Sequence, residues 1–324
     1  MKKAVSLLLV LMLVLTLAGC KEQKNESKPI NVYTLSGPTG IGIVHLKESS
    51  EANTTKGKYN INIVAQPDEA VAKLTNGEAD IAAIATNLAA KLYNKTNGGI
   101  TVLAVNTLGV LNVITPNGVE FTSFKDLKGK TVFTTGQGSN PEFIIKHLLK
   151  VYNIENDVKL EFSAEAGALA TVWSTNPNAV IIAPQPAATT IKMNYEGAKI
   201  ALNLTKEWEK VDKSSELMMG CIVVRNEFLN KNKSAVDLFL EEYKASVDKV
   251  NDIEKTAELC EKYSIIPMAQ IAKAAIPDCN VCYIDGDKME NELKGYYKVL
   301  FDIEKTSVGG SLPKDDFYYA KKDK

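Results

Sequence analysis

The chain alternates segments typical of strands with segments typical of helices, and this order limits the fold more than any other feature. Strands of a first cycle are predicted at residues 30–35, 59–65, 80–85, 100–105 and 110–115. A second cycle begins near Pro116, with strands predicted at residues 131–134, 158–162, 179–183 and 198–203. Helical segments separate most of these strands, which favours parallel sheets covered by helices on both faces. We therefore predict an α/β fold with mostly parallel sheets.

The last third of the chain has a different pattern. One more strand is predicted at residues 218–224. The segments that follow are mostly helical, at residues 227–231, 233–251, 254–263, 268–275 and 287–302. Two α/β units followed by a helical segment indicate two lobes, and the C-terminal segment is expected to pack back onto the first.

The N-terminus has the pattern of an export signal. Lys2 and Lys3 precede an apolar segment, residues 4–18, and the sequence Leu-Ala-Gly at residues 17–19 stands directly before Cys20. This ending resembles a lipobox, the pattern at which bacterial lipoproteins are acylated on the cysteine and then cleaved before it. A transmembrane anchor is the alternative, but the segment is shorter than the roughly 18–20 residues that span a bilayer. We predict a signal peptide at residues 1–19, lipidation of Cys20 (palmitate among the acyl chains), and a flexible tether at residues 20–29.

Charge and composition exclude some classes of partner. The chain has 324 residues, is 45% hydrophobic and 24% charged, and carries a formal net charge of −1. These values are typical of a globular protein and give no basic face for a nucleic acid. Arg225 is the only arginine, which argues against a guanidinium clamp on an anionic ligand.

Four cysteines lie downstream of the predicted lipidation site: Cys221, Cys260, Cys279 and Cys282. An exported compartment permits a disulfide from Cys260 to Cys279 or Cys282. The CxxC spacing of Cys279 and Cys282 also occurs in zinc and redox sites, although a second CxxC and a nearby histidine are missing. Packing, a structural disulfide and metal or redox chemistry all remain open for these residues.

Four stretches of the chain resemble a known family. They are residues 33–40, a strand and glycine turn; 71–82, a helix, a glycine and a strand; 124–132, with the sequence FKDLKGKTV; and 222–228, with the sequence IVVRNEF. In this order they resemble the solute-binding lipoproteins of the nitrate/sulfonate/taurine and thiamine-precursor ABC importers. The resemblance implies a two-lobed type II periplasmic-binding-protein fold.

The resemblance also implies an organisation and a function. Residues 30–112 and 218–324 would form lobe 1, residues 113–217 would form lobe 2, and the two crossings would act as a hinge. A small organic solute would bind in the cleft between the lobes. A membrane-tethered monomer without a cofactor would then deliver this solute to an ABC permease and its ATPase.

Candidate ligand-binding residues follow from the rule that ligands bind beyond the carboxyl ends of strands in open α/β sheets. The loops after five predicted strands, with one residue near the return crossing, supply them: Ser36, Gly37, Pro38, Thr39, Gly40, Thr86, Asn87, Asn106, Thr107, Thr135, Gly136, Gln137, Gly138, Ser139, Gln185 and Met218. Most of these residues offer hydroxyls, amides or backbone N–H groups.

Two of the candidate loops are rich in glycine and lead into helices. Residues 36–40 and 136–140 are expected to direct unpaired N–H donors into the cleft, where they would suit a carboxylate, sulfonate or phosphate. Ordinary turn chemistry explains the same residues equally well. The ligand is therefore either an anion held by helix ends and hydroxyls, or a neutral or zwitterionic molecule.

A tethered enzyme or a solute sensor using the same cleft is the alternative to an import receptor. The sequence has no GxSxG elbow, HExxH zinc site or Walker loop. Export with an acyl anchor also favours a receptor over a biosynthetic enzyme. We therefore expect a binding protein without catalytic activity.

Overall fold

The computed structural model describes residues 28–169 and 171–320, and the strands in these residues form two sheets. The first sheet contains β1 (Ile30–Leu35), β2 (Tyr59–Val64), β3 (Ile81–Ala85), β4 (Ile100–Thr107), β10 (Gly220–Arg225) and β11 (Val281–Ile284). The second contains β5 (Leu111–Thr115), β6 (Thr131–Thr134), β7 (Lys159–Phe162), β8 (Val180–Pro184) and β9 (Lys199–Asn203). The strand orders are β11-β4-β10-β3-β1-β2 and β7-β6-β8-β5-β9.

Strand pairing is mixed in both sheets, whereas the alternation of strands and helices predicts mostly parallel pairs. β1 is parallel to β2 and β3, and β6 is parallel to β7 and β8, as expected for strands joined by helices. β5 and β10 are antiparallel to both of their neighbours, and β11 is antiparallel to β4. β5 follows a strand of the first sheet, and β10 follows a strand of the second. Neither is joined by a crossover helix to a strand of its own sheet, so neither has to be parallel to its neighbours.

Helices cover the sheets. Those between residues 38 and 211 are α1 (Pro38–Ile41), α2 (Val44–Glu51), α3 (Pro67–Thr75), α4 (Thr86–Lys95), α5 (Asn140–Val151), α6 (Ala166–Leu169), α7 (Val172–Thr175), α8 (Ala187–Asn194) and α9 (Leu204–Val211). Those after the return crossing are α10 (Asn226–Lys231), α11 (Lys233–Asp248), α12 (Ile253–Lys262), α13 (Ala269–Ala275) and α14 (Gly286–Ile303). Short 3-10 turns lie at Phe124–Leu127, Lys249–Asn251, Ile276–Asp278, Lys305–Val308 and Asp315–Phe317.

The chain passes between the sheets twice. It leaves the first sheet after Thr107 and enters the second at Leu111, so the predicted boundary between residues 112 and 113 lies inside β5. It returns between the end of α9 at Val211 and the start of β10 at Gly220. The C-terminal segment then packs on the first sheet, as predicted, and Tyr319 N donates to Val102 O at 2.9 Å.

Apolar side chains from both sheets belong to one continuous core. The largest buried cluster contains Val102 of β4, Val132 of β6 and Tyr297 of α14. Trp208 of α9 is fully buried in the same cluster, and its indole N–H donates to Ser215 O at 2.9 Å. The two sheets therefore share one densely packed apolar core.

The four cysteines within the described residues are free thiols. Cys221, Cys260 and Cys279 are buried, Cys282 is partly buried in β11, and none forms a disulfide. Burial raises the pKa of Cys260 and of Cys282 to about 12, which keeps both thiols protonated and weakly nucleophilic at neutral pH. Within the described residues, no three His, Cys, Asp or Glu side chains form a group that could hold a metal ion.

The predicted signal peptide, Cys20 and most of the tether lie outside the described residues. Among the helices that are described, none has both the length and the hydropathy to cross a bilayer.

Candidate ligand-binding site

The carboxyl ends of β3, β6 and β8 form the candidate site. Asn87 lies in the first turn of α4, directly after β3. Thr134 is the last residue of β6, and Gln185 follows β8, which is the neighbour of β6 in the second sheet. The loop after β6 leads to Asn140 at the start of α5.

The side chain of Asn140 connects the two sheets. Its Nδ2 donates to Thr86 Oγ1 and to Met219 O, both at 3.0 Å. The Thr86 hydroxyl in turn donates to Met218 O at 2.7 Å, and the Tyr297 hydroxyl donates to Thr86 O at 3.0 Å. The strand ends of the first sheet and the helix start of the second are therefore in direct contact.

Five of the eleven buried side-chain polar atoms without a hydrogen-bond partner in the described residues belong to these strand ends and to the start of α5: Asn87 Nδ2 and Oδ1, Thr134 Oγ1, Asn140 Oδ1 and Gln185 Nε2. The other six belong to Thr115, His147, Thr205, Ser215, Tyr296 and Ser307. Asn87, Thr134, Asn140 and Gln185 are at most 1% exposed. Because each unsatisfied buried polar group costs about 1–3 kcal/mol, these five atoms at the strand ends are candidates for contacts with a ligand.

Neighbouring backbone groups fix the orientation of two of these amides. Met219 O can only accept, so the Asn140 amide must direct Nδ2 toward it and leave Oδ1 as a free acceptor. The Thr189 N–H can only donate, at 3.3 Å to Gln185 Oε1, so Gln185 is left with Nε2 as a free donor. Asn87 offers both a donor and an acceptor.

The first glycine loop does not supply the predicted set of unpaired N–H donors. Ser36 N donates to Val64 O at 3.0 Å, Gly37 N to Ile265 O at 2.8 Å, and Gly40 N to Gly37 O at 3.0 Å. The helix that follows, α1, has four residues and only a small macrodipole. Pro38 and Thr39 are partly buried beside these groups.

The second glycine loop is also satisfied from within. Gly138 N donates to Glu142 Oε2 at 2.6 Å, and Ser139 N donates to Gly136 O at 3.0 Å. Gln137 and Gly138 are exposed, and Thr135 is buried at the base of the loop. For these N–H groups the prediction of unpaired donors is wrong, because the carboxylate of the loop's own helix occupies the position of an anionic ligand.

A lysine of α4, the helix that follows β3, contacts this loop. Lys91 Nζ donates to Gly138 O at 2.8 Å and lies 5.6 Å from the centroid of the Phe143 ring. Burial lowers the pKa of Lys91, while Glu304 and Glu142 act in the opposite direction. Lys146 lies 2.6 Å from Glu142 Oε1 and 3.6 Å from Glu304 Oε2, so the charges at this edge are balanced within the protein.

The remaining predicted residues support the site. Asn106 and Thr107 are buried at the end of β4. Asn106 Nδ2 donates to Thr39 O at 2.9 Å, and the Thr107 hydroxyl donates to Asn106 Oδ1 at 3.2 Å. Thr86, Asn87 and Met218 are fully buried.

Arg225 lies at the opposite end of β3, where it pairs with Asp80 Oδ1 at 3.0 Å, as expected from the argument against a guanidinium clamp.

Sequence reasoning did not select Thr134 or the side chain of Asn140 as candidate ligand groups, although residue 140 ends the predicted glycine loop 136–140. Thr134 belongs to the strand rather than to the loop after it, and Asn140 precedes Pro141 as an ordinary helix start. The one sequence signal for Asn140 is its position, because it closes a loop at the carboxyl end of a buried strand.

The fold is shared with several solved structures. An ABC transporter protein from Parabacteroides distasonis is 20% identical, with a TM-score of 0.76 over 91% of this chain and 99% of that one. The periplasmic aliphatic sulphonate-binding protein SsuA from Escherichia coli is 9% identical, with a TM-score of 0.69 over 91% and 94%. The periplasmic nitrate-binding protein NrtA from Synechocystis is 15% identical, with a TM-score of 0.56 over 79% and 69%. These matches confirm the predicted periplasmic-binding-protein fold.

The sequence itself gives the family. No curated protein matches the chain by sequence. The model of the family described as NMT1/THI5 like matches residues 59–252, which is more than half of the 324 residues. On this match, the chain belongs to the NMT1/THI5-like family.

Proposed function

We propose that this protein is the substrate-binding lipoprotein of an ABC importer. The first sheet with the C-terminal segment forms lobe 1, the second sheet with its helices forms lobe 2, and a small organic solute is captured between them. The receptor then presents the solute to a permease that works with an ATPase. Cys20 carries acyl chains that hold the protein at the outer face of the cell membrane.

The buried polar atoms at the facing strand ends carry this proposal. Asn87, Thr134, Asn140 and Gln185 come from both lobes and have polar atoms without a protein partner. A solute bound there would satisfy groups from both lobes at once, which favours lobe closure around it. The sulphonate-binding and nitrate-binding proteins with this fold are, by name, solute receptors.

The positions of the histidines and thiols favour a receptor over an enzyme. His45 bonds to Thr256 Oγ1 at 2.9 Å, and His147 stacks on Trp208 with ring centroids 4.9 Å apart. Burial lowers the pKa of both imidazoles and raises those of the thiols, so these groups are held in their neutral forms. Neither histidine is among the groups at the candidate site.

A ligand screen tests the receptor function. The purified protein is unfolded, dialysed to remove bound molecules, refolded, and heated with each member of a library of small organic solutes. At least one solute is expected to raise the melting temperature in proportion to the logarithm of its concentration, because it binds only the folded state. If no solute raises the melting temperature, the receptor function is contradicted.

Changing Cys20 to serine tests the membrane anchor. The wild-type protein is expected in the membrane fraction with a mass increased by acyl chains, and the Cys20→Ser variant is expected to lose both properties. Mass spectrometry of the detergent-extracted protein checks this. A Cys282→Ser variant is the matched control, since it changes a thiol outside the lipobox. A wild-type protein with an unmodified Met1 terminus would contradict the anchor.

A further inference from the structure

The unpartnered atoms in the site are balanced between donors and acceptors. Asn87 Nδ2 and Gln185 Nε2 are donors, Asn87 Oδ1 and Asn140 Oδ1 are acceptors, and the Thr134 hydroxyl can act as either. None of these groups carries a charge. A ligand that satisfied them would need acceptors and donors of its own, in similar numbers.

Cations that could neutralise a buried anion are bound elsewhere. Arg225 is committed to Asp80 and Ala79 O at the opposite end of β3. Lys91 is bonded to Gly138 O, and Lys146 lies between Glu142 and Glu304. An anion at Asn87 and Gln185 would thus be desolvated with only neutral donors, which is costly for a full charge.

The protein also places a carboxylate of its own beside the site. Glu142 is 8% exposed and accepts the Gly138 N–H. Gly138 belongs to the glycine loop at the start of the helix that carries Asn140, so an anionic solute there would meet a like charge. In the other glycine loop, Ile265 O occupies the Gly37 N–H. Both positions that would suit an oxyanion are therefore filled by protein oxygens.

We infer that the solute is an uncharged molecule with an amide-like edge, meaning a hydrogen-bond acceptor beside a donor, and that the site excludes oxyanions such as sulfonates and nitrate. The side-by-side donor and acceptor of Asn87 match such an edge, while Gln185 and Asn140 supply one further donor and one further acceptor. This inference rests on the proposed receptor function.

Matched pairs of neutral and anionic compounds test the inference. The probes are nicotinamide and nicotinate, uracil and orotate, and ethanesulfonamide and ethanesulfonate, with nitrate added alone. Melting temperatures of the full chain are measured with each probe at equal ionic strength, and calorimetry gives the affinity of every probe that raises the melting temperature. We expect any neutral member that binds to do so at least about 100-fold more tightly than its anionic partner, because none of the described groups assigned to the site is a cation.

The possible outcomes separate the inference from the function. The inference would be overturned, and the receptor function left intact, if ethanesulfonate, nicotinate or orotate bound more tightly than its neutral partner, or if nitrate bound. A failure of all probes, together with the failure of the wider solute library, would overturn both. Binding of a neutral probe that is unaffected by Asn87→Asp would also overturn the inference, because the added carboxylate should repel the acceptor that Asn87 Nδ2 is proposed to bind.

Discussion

Replacing Asn87 by leucine is expected to abolish solute binding and to make the ligand-free protein more stable. Asn87 is fully buried, and neither atom of its amide has a protein partner. A leucine, which has the same branching and the same number of side-chain heavy atoms, removes a desolvation cost of about 1–3 kcal/mol and buries apolar surface instead. The same change removes one donor and one acceptor for the ligand, so we expect affinity to fall at least about 100-fold.

Calorimetry with a solute identified in the screen measures the affinity, and urea unfolding measures the free energy of unfolding. Thr86→Val is the matched control, because the adjacent hydroxyl is equally buried but donates to Met218 O and accepts from Asn140 Nδ2. We expect that control to lower stability by about 1–2 kcal/mol. If Asn87→Leu is as destabilising as the control, Asn87 has partners in the folded protein and its assignment to the site is wrong.

Changing Gly40 to alanine is expected to lower the free energy of unfolding by about 3 kcal/mol, near the upper end of the range for overpacked cores. A Cβ atom at this buried position would lie 2.3 Å from Leu35 O and 2.7 Å from Ile265 Cδ1. The oxygen belongs to the backbone at the end of β1, so the loop that carries Thr39 would have to move. Because Thr39 O accepts from Asn106, we expect weaker solute binding as well.

Gly167→Ala provides the control for this substitution. No heavy atom lies within 4 Å of a Cβ at Gly167, which is also helical, so stability should change by no more than about 0.5 kcal/mol. Urea unfolding of both variants and the wild type makes the comparison. An equal effect of the two substitutions would mean that Leu35 and Ile265 can move away from a Cβ atom at Gly40 without a measurable loss of stability.

The alternation of strands and helices was enough to predict the α/β class, and the strand-end rule placed the candidate site at one edge of the sheets. Thr86, Asn87 and Gln185 were identifiable because each follows a short apolar strand, and strand ends are where α/β sheets place their ligand groups. The sequence also predicted the return strand and the packing of the C-terminal segment onto the first sheet.

Local sequence could not reveal which polar groups pair within the protein. The partner of Gly37 N is Ile265 O, which comes from the far C-terminal segment. The partner of Gly138 N is a glutamate that reads as an ordinary helix residue. Asn140 was missed because its role depends on Thr86, which lies 54 residues away on the other sheet. β11 was missed because four partly buried residues give almost no periodic signal.

In the proposed receptor, Asn140 would couple solute recognition to closure of the lobes. The Nδ2 of its amide bonds to residues that follow β3 and precede β10 in the first sheet, and its Oδ1 has no protein partner and could accept from a solute. A donor that binds Oδ1 polarises the amide and strengthens the bonds made by Nδ2. By reciprocity, if a solute bound at Oδ1 strengthens the lobe junction by some factor, formation of that junction increases solute affinity by the same factor. A permease that separates the lobes would therefore lower the receptor's affinity for the solute through this side chain.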